Sequence, residues 1–291
     1  MPLPRFLFLA WLRFAWFLRK TFGIKTYAIG WAASKVAEDF EFQFMGRPFR
    51  FLVSAARSYC LLPAGIPNEP ETHKFLDQIL DAGGGCRIIF VDVGASIGEF
   101  AVPMAYDARV EKVMAFEPHP ATCEALRATA VQVPEGKIEI IQKGVSDKLG
   151  NASFDLSNVA PTGAGLRDSS GIENALQVEL CTLDETIQIS PGQAMIILID
   201  IEGGELDAMR GAMQLIARIH PLIIFEFNEI TRKYFQLSQA AEQLGTDYKI
   251  YRLRSEDGCL DGDLSSTWNV VALPDKGPWR DLHTRPGLIV A

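Results

Sequence analysis

From residue 88 onward the chain alternates short, nearly continuous apolar runs with segments whose apolar residues recur every three or four positions. The runs Ile88–Val93, Lys112–Phe116, Ile138–Ile141, Met195–Asp200, Leu222–Phe227, Tyr248–Leu253 and Trp268–Ala272 predict strands, several of them covered on both faces. The segments Glu99–Tyr106, Ala121–Val131, Glu205–Ala217 and Glu229–Leu244 predict the helices between them. This alternation predicts an α/β fold with a parallel, doubly wound sheet and right-handed crossovers. The last two runs are joined only by a Gly/Asp-rich stretch, Ser255–Ser266, which predicts an antiparallel pair at one end of the sheet. Residues 146–186 interrupt the alternation. There Asn151–Leu156 and Gln177–Leu183 read as extra strands flanking a Gly/Ser/Pro loop, Asn158–Gly171.

The part before residue 71 has a different pattern. Residues 1–38 read as helical with a break at Thr21-Phe22-Gly23, and Phe40–Val53 reads as a hairpin turning at Gly46-Arg47-Pro48. Tyr59–Asn68 reads as loop, and Glu71–Leu80 as an amphipathic helix closed by Gly83-Gly84-Gly85. The chain therefore divides into an N-terminal helical and hairpin extension, 1–70, and a main domain, 71–291. Residues 1–20 carry arginine and lysine but no acid, among many Phe, Trp and Leu. Their apolar stretch, Phe6–Leu18, is interrupted by Arg13 and too short to span a bilayer. An interfacial helix on an anionic membrane, a helix packed on the domain or at a homodimer interface, and a signal peptide all stay open.

Apolar residues make up 48% of the chain and charged ones 22%, enough for a real core. The net charge of −8 argues against nucleic acid as a partner. The five cysteines are dispersed, with no C-x-x-C, and the four histidines are equally scattered. That speaks against zinc and for reduced thiols, hence a cytoplasmic protein, with peripheral contact at the inner membrane face through residues 1–20 as the variant.

The candidate chemistry sits where apolar runs end. Asp92-Val-Gly-Ala-Ser-Ile-Gly98 joins a strand to a helix, and the next run ends in Glu117. Small residues at Gly94, Ala95, Ser96 and Gly98 let a ligand approach the backbone, and Glu117 can accept both ribose hydroxyls of an adenosyl group. Pro118 fixes the turn that follows. The dinucleotide fingerprint needs glycine where this chain has Ser96, and Asp92 would repel a pyrophosphate. The same carboxylate suits the cationic end of S-adenosylmethionine. Beyond the third run, backbone groups near Val145 and Asp147 are candidates to border the adenine, with a plain turn role for Asp147 equally open. A second constellation places Asp200, Glu202 and Glu205 after one run, and Glu226 and Asn228 at the end of the next. Such crowding of carboxylates can create a general base or hold a divalent metal, and the residues alone do not choose between these.

In their order and combination, FVDVGASIGEF (90–100), AFEPHP (115–120), GVSDKLGNASF (144–154), VELCTLDETI (178–187), IDIEGGELDAMRGA (199–212) and PLIIFEFN (221–228) resemble the FkbM family of S-adenosylmethionine-dependent methyltransferases. The resemblance covers about residues 71–275. It implies a class I methyltransferase (Rossmann-like) fold, a seven-stranded sheet with helices on both faces, and methyl transfer to oxygen on sugars, glycans or natural products. It implies that Asp92 to Gly98 and Glu117 bind S-adenosylmethionine and that the Asp200-x-Glu202-Gly motif lines the reaction cleft; Pro118, Val145, Asp147 and Asp200 are further candidates for cofactor binding. Asp200 or Glu202 would then be the base, and Glu205, Glu226 and Asn228 would orient acceptor hydroxyls. Leu198 stands where members of the family commonly carry lysine. Two rival readings are a non-catalytic adenosyl- or glycan-binding module tethered to a membrane and, more weakly, a nicotinamide oxidoreductase.

Overall fold

The computed structural model describes the chain except residues 1–2, 24–27, 82–84, 156–165, 168–174, 191 and 291. Gly83-Gly84 and most of the Asn158–Gly171 segment therefore lie outside the described residues. In chain order the N-terminal part contains α1 (Arg5–Phe22), α2 (Ile29–Ala33), a hairpin of β1 (Phe40–Phe44) and β2 (Arg47–Phe51), and α3 (Pro70–Leu80). A 3-10 segment, Val53–Tyr59, follows the hairpin, and a short 3-10 turn, Leu62–Ala64, lies within the Tyr59–Asn68 stretch expected to be loop.

The hairpin turn is Met45-Gly46, with φ of 49° and 71°, not Gly46-Arg47-Pro48. Positive φ at both central residues makes this a type I′-like turn, whose twist matches the strands and whose φ proline cannot adopt. Pro48 instead lies in β2 opposite Gln43.

The main sheet is built from β3 (Arg87–Val93), β4 (Val110–Phe116), β5 (Ile138–Ile141), β10 (Gln193–Ile199), β11 (Leu222–Glu226), β12 (Tyr248–Leu253) and β14 (Asn269–Pro274), in the order β5-β4-β3-β10-β11-β14-β12. Two short edge strands, β13 (Leu260–Asp261) and β15 (Ile289–Val290), extend it to nine. β3, β4, β5, β10 and β11 run parallel, while β14 inserts antiparallel between β11 and β12. The seven expected strands and the terminal antiparallel pair are thus all present. A separate four-stranded sheet holds β6 (Gly144–Val145), β7 (Gly150–Asp155), β8 (Leu166–Arg167) and β9 (Ala175–Cys181). Leu183, expected to end a strand, instead opens the short helix α6 (Leu183–Thr186), capped by the Thr182 side chain.

The alternation of side chains along β3 and β10 explains why both faces are apolar. Ile88, Phe90, Ile196 and Leu198 join one core, and Ile89, Val91, Val93, Met195, Ile197 and Ile199 the other. The first core also takes in Phe8 and Leu12 of α1 and the five phenylalanines of the hairpin, so the N-terminal segment shields that face of the sheet. Phe51 stacks on Phe40 and Tyr59 at 4.6 Å each, and the Tyr59 hydroxyl donates to Arg50 O while accepting from the Leu52 N–H.

The remaining helices are α4 (Ala101–Tyr106), α5 (Pro120–Ala130), α7 (Glu205–Arg210), α8 (Met213–Ile219) and α9 (Leu237–Leu244). The single helix expected over Glu205–Ala217 is broken at Gly211, whose Cβ, if it had one, would lie 2.0 Å from Ser146 O. The long helix expected from Glu229 shrinks to a 3-10 turn, Thr231–Lys233, and α9. The α9 start is set by a reciprocal capping box between Gln236 and Gln239.

Candidate active site

All the parallel strands end at one edge of the sheet, and the candidate side chains gather there. At the end of β3 the chain turns through Gly94, whose φ is 89° and whose added Cβ would sit 2.0 Å from Asp200 O. Only glycine allows the first loop to lie against the end of β10. The loop is tied to β4: Gly94 and Ala95 both donate to Phe116 O at 2.9 Å. Ser96 N donates to Glu117 Oε2 at 2.9 Å and His119 N to Glu117 Oε1 at 2.7 Å. Glu117 is thereby held in place before any ligand arrives.

Asp92 is 1% exposed, and neither carboxyl oxygen has a hydrogen-bond partner among the described residues. Burial pushes its pKa up to about 7. The Ala101 backbone N–H opposes the rise without completing a hydrogen bond, and the charges of Glu117 and Glu99 add to it. Burial likewise raises Glu117 to about 7, opposed by the His119 and Ser96 amides. A buried acid with no partner is a cost to the fold unless a positively charged or donating group meets it.

This cost has a readable pH dependence. An unfolded aspartate releases its proton near pH 4, whereas Asp92 does so near 7. Between those values the native state holds more protons, so raising pH removes stability, and the loss is complete above about pH 7. We expect Asp92→Asn to be more stable than the parent when ligand-free, by an amount that grows from about pH 4 to about pH 7 and reaches a few kcal/mol. Thermal melts of both proteins across that range check it, and a constant difference would contradict it.

The second constellation follows β10. Asp200 N still pairs with Val93 O at 2.9 Å. Oxygens of Asp200, Glu202 and Glu226 lie within 4.8 Å of one another. Among the described residues no lysine or arginine bonds to any of the three. Their carboxyls are raised accordingly. Asp200 is held well above its usual range by burial and then by Glu226, Glu202, Glu205 and Asp92. Glu202 is pushed to about 7 by burial and Glu205. Burial raises Glu226 too, followed by Glu202, Glu69 and Glu205. An all-oxygen set of this size suits a hard divalent cation such as magnesium better than zinc. Glu202 itself adopts a left-handed backbone, φ 56°, and is followed by Gly203, over which the Tyr234 ring packs.

Two residues expected to face an acceptor are placed differently. Glu205 is fully buried, and its oxygens accept from Ile201 N and Gly203 N at 3.0–3.1 Å. It staples the 200–205 loop from within. Asn228 is also buried: its Nδ2 donates to Glu226 Oε1 at 2.5 Å, and its Oδ1 accepts from Ile230 N and Thr231 N. Asn228 therefore orients Glu226, whose Oε2 remains without a partner. Pro118 begins the turn into α5. Beyond β5, Val145 is buried in the core and Asp147 is exposed, so at Val145 only the backbone is free to meet a ligand. Leu198 is buried in the apolar core, so the acids receive no cation from that position.

The structure adds acids that strand ends did not point to. Glu69, just before α3, accepts from Asn269 Nδ2 at 2.6 Å and Thr72 Oγ1 at 3.0 Å, and its pKa is raised by burial, Asp200 and Glu99. Glu99 accepts from Asn68 N at 2.8 Å and Asn68 Nδ2 at 2.6 Å, and its Oε1 lies 3.3 Å from His73 Nε2. Glu99 directly follows the glycine loop, which could have marked it. Glu69 carries only the weak sign of an acid preceding a proline at a helix start.

A family model for the Methyltransferase FkbM domain matches residues 92–249. No curated protein matches the chain. Among solved structures, the methyltransferase FkbM of Methylobacillus flagellatus aligns with 19% identity and a TM-score of 0.45, over 64% of this chain and 43% of that one. An rRNA methylase of Streptococcus thermophilus aligns with 14% identity and a TM-score of 0.40, over 70% of this chain and 93% of that one. M. jannaschii TYW2, solved with AdoMet, gives 11% identity and a TM-score of 0.41, over 82% and 87%. The family match spans more than half of the chain, from the acid that ends β3 into β12, and includes both carboxylate constellations: the protein belongs to the FkbM methyltransferase domain family.

Proposed function

We propose that the protein transfers a methyl group from S-adenosylmethionine to a hydroxyl oxygen of a polyhydroxylated acceptor, a sugar, glycan or natural product. The observation that carries this reading is the pairing of a glycine cradle, closed against Asp200 O, with a buried, partnerless Asp92. A cationic adenosyl ligand fits both: the glycines hold the loop tightly against the strand ends where such a ligand binds, and its positive end offsets a carboxylate that burial otherwise penalises. Glu117, already aligned by two backbone amides, keeps lone pairs for the ribose hydroxyls.

When bound, S-adenosylmethionine supplies an electrophilic methyl group on a sulfonium. The acceptor oxygen attacks that methyl in line, and its proton must go to a base. Between the two candidates the electrostatics favour Glu202. Its pKa of about 7 matches neutral conditions, and its Oε2 has no partner. Asp200, held well above its usual range by burial and the neighbouring acids, lies beside Glu202 and helps align the hydroxyl. Glu226 offers Oε2 as a hydrogen-bonding group to a further hydroxyl. The acid-rich cleft suits neutral or cationic acceptors over phosphorylated ones.

Calorimetric titration with S-adenosylmethionine, with NADH as competitor, tests the cofactor. We expect saturable binding indifferent to NADH, and Glu117→Ala to weaken it roughly 10- to 100-fold, the range for hydrogen bonds to a charged group. Unweakened binding by that variant would remove Glu117 from the site. Tight binding without methyl transfer to any polyol would favour the non-catalytic module instead.

A further inference from the structure

The outward side of α1 is an apolar surface that the fold does not cover. One side of this helix is core, with Phe8, Leu12 and Ala15 buried. At helical spacing Phe6, Phe14 and Phe17 fall together on the opposite side, and they are 70%, 51% and 53% exposed. Phe22 packs edge-on against Phe17 at 6.0 Å and is itself exposed, as is Trp31 on the next helix. Arg13 and Lys20 lie along the same outward side, both exposed, and neither forms an ion pair among the described residues.

The charge around this surface is one-sided. The first 37 residues hold six of the 28 basic residues and none of the 36 acids, in a chain of net charge −8. Aromatic rings flanked by cations on an otherwise acidic protein match one kind of surface, a layer with anionic headgroups above an apolar interior. No described helix is long and apolar enough to cross a membrane, so α1 would lie in the interface. A second copy of the chain fits less well. In a two-fold dimer the patch meets itself, which sets the same cations against each other with no acid between them.

We propose that the outward face of α1 docks on an anionic phospholipid bilayer, with Phe6, Phe14 and Phe17 entering the headgroup boundary and Arg13 and Lys20 meeting the lipid charges. This goes beyond the methyl-transfer reading and does not depend on it.

Co-sedimentation of the full chain with vesicles tests the proposal, using phosphatidylcholine alone or mixed with phosphatidylglycerol. The expected result is binding to the mixed vesicles, little to phosphatidylcholine alone, and loss in high salt. The double change Phe14→Glu with Phe17→Glu is expected to cut binding about tenfold or more, and Arg13→Glu with Lys20→Glu to remove the preference for anionic lipid. These side chains are exposed, so the melting temperature should stay put, and melts of each variant verify that. The proposal is overturned if the protein stays in solution with anionic vesicles or if the phenylalanine variant binds as well as the parent. It is equally overturned if light scattering finds a dimer that the phenylalanine variant dissolves, which would assign the face to a second copy.

Discussion

Glu202→Gln is expected to lower turnover by about 100-fold or more while S-adenosylmethionine still binds, because the variant keeps the side-chain shape but cannot accept a proton. Asp200→Asn is expected to cost much less, about tenfold, since an amide keeps the shape and hydrogen bonding that align the hydroxyl. The same argument sets the pH profile. Glu202 is pushed to about 7, so kcat/KM should rise through that region and level off above it, and the rise should vanish in Glu202→Gln. Single-turnover measurements with each variant separate the two acids. A greater loss in Asp200→Asn than in Glu202→Gln would exchange their roles.

The other large effect is expected at Gly94. Its φ of 89° disfavours any side chain, and a methyl group there would overlap Asp200 O at 2.0 Å and touch Ile201 Cγ2 at 3.0 Å. The obstacle on one side is backbone, which cannot rotate away, so β3 and β10 would have to separate at the mouth of the site. Gly94→Ala should therefore lose about 3 kcal/mol or more of stability and bind the cofactor far more weakly. Gly98 gives the contrast. Its φ of 94° carries the same strain, but an added methyl would meet Leu126 Cδ1 and Val102 Cγ2, ends of side chains that can shift. Melting and cofactor titration of both variants should rank Gly94→Ala as the more damaging, and the reverse ranking would mean the β3–β10 contact is not what demands glycine there.

Much of this site was legible along the chain because it is local. A strand buried on both faces must read as an apolar run, so the ends of β3, β4, β10 and β11 could be located, and with them Asp92, Glu117, Asp200 and Glu226. The glycine loop was legible for the same reason: its positive φ values belong to single residues that only certain types tolerate. The hairpin turn and the break at Gly211 were less legible. Each depends on a competition, between two possible turns in one case and between continuing a helix and meeting Ser146 O in the other.

What the sequence determined by itself, then, is the sheet, its acid-tipped strands and the glycine loop, since backbone conformation and two-sided burial leave their mark residue by residue. Tertiary structure alone decided which acids keep an oxygen without a partner among the described residues. Glu205 looked as available as Glu202, yet the backbone amides of its own loop turn it inward, while Glu202 is left with a free oxygen. It also brought in Glu69 through Asn269, a partner 200 positions away, and bared the phenylalanines of α1 by burying the opposite side of that helix. Charge, burial and exposure at those positions are set by neighbours distant in the chain, and no local pattern encodes them.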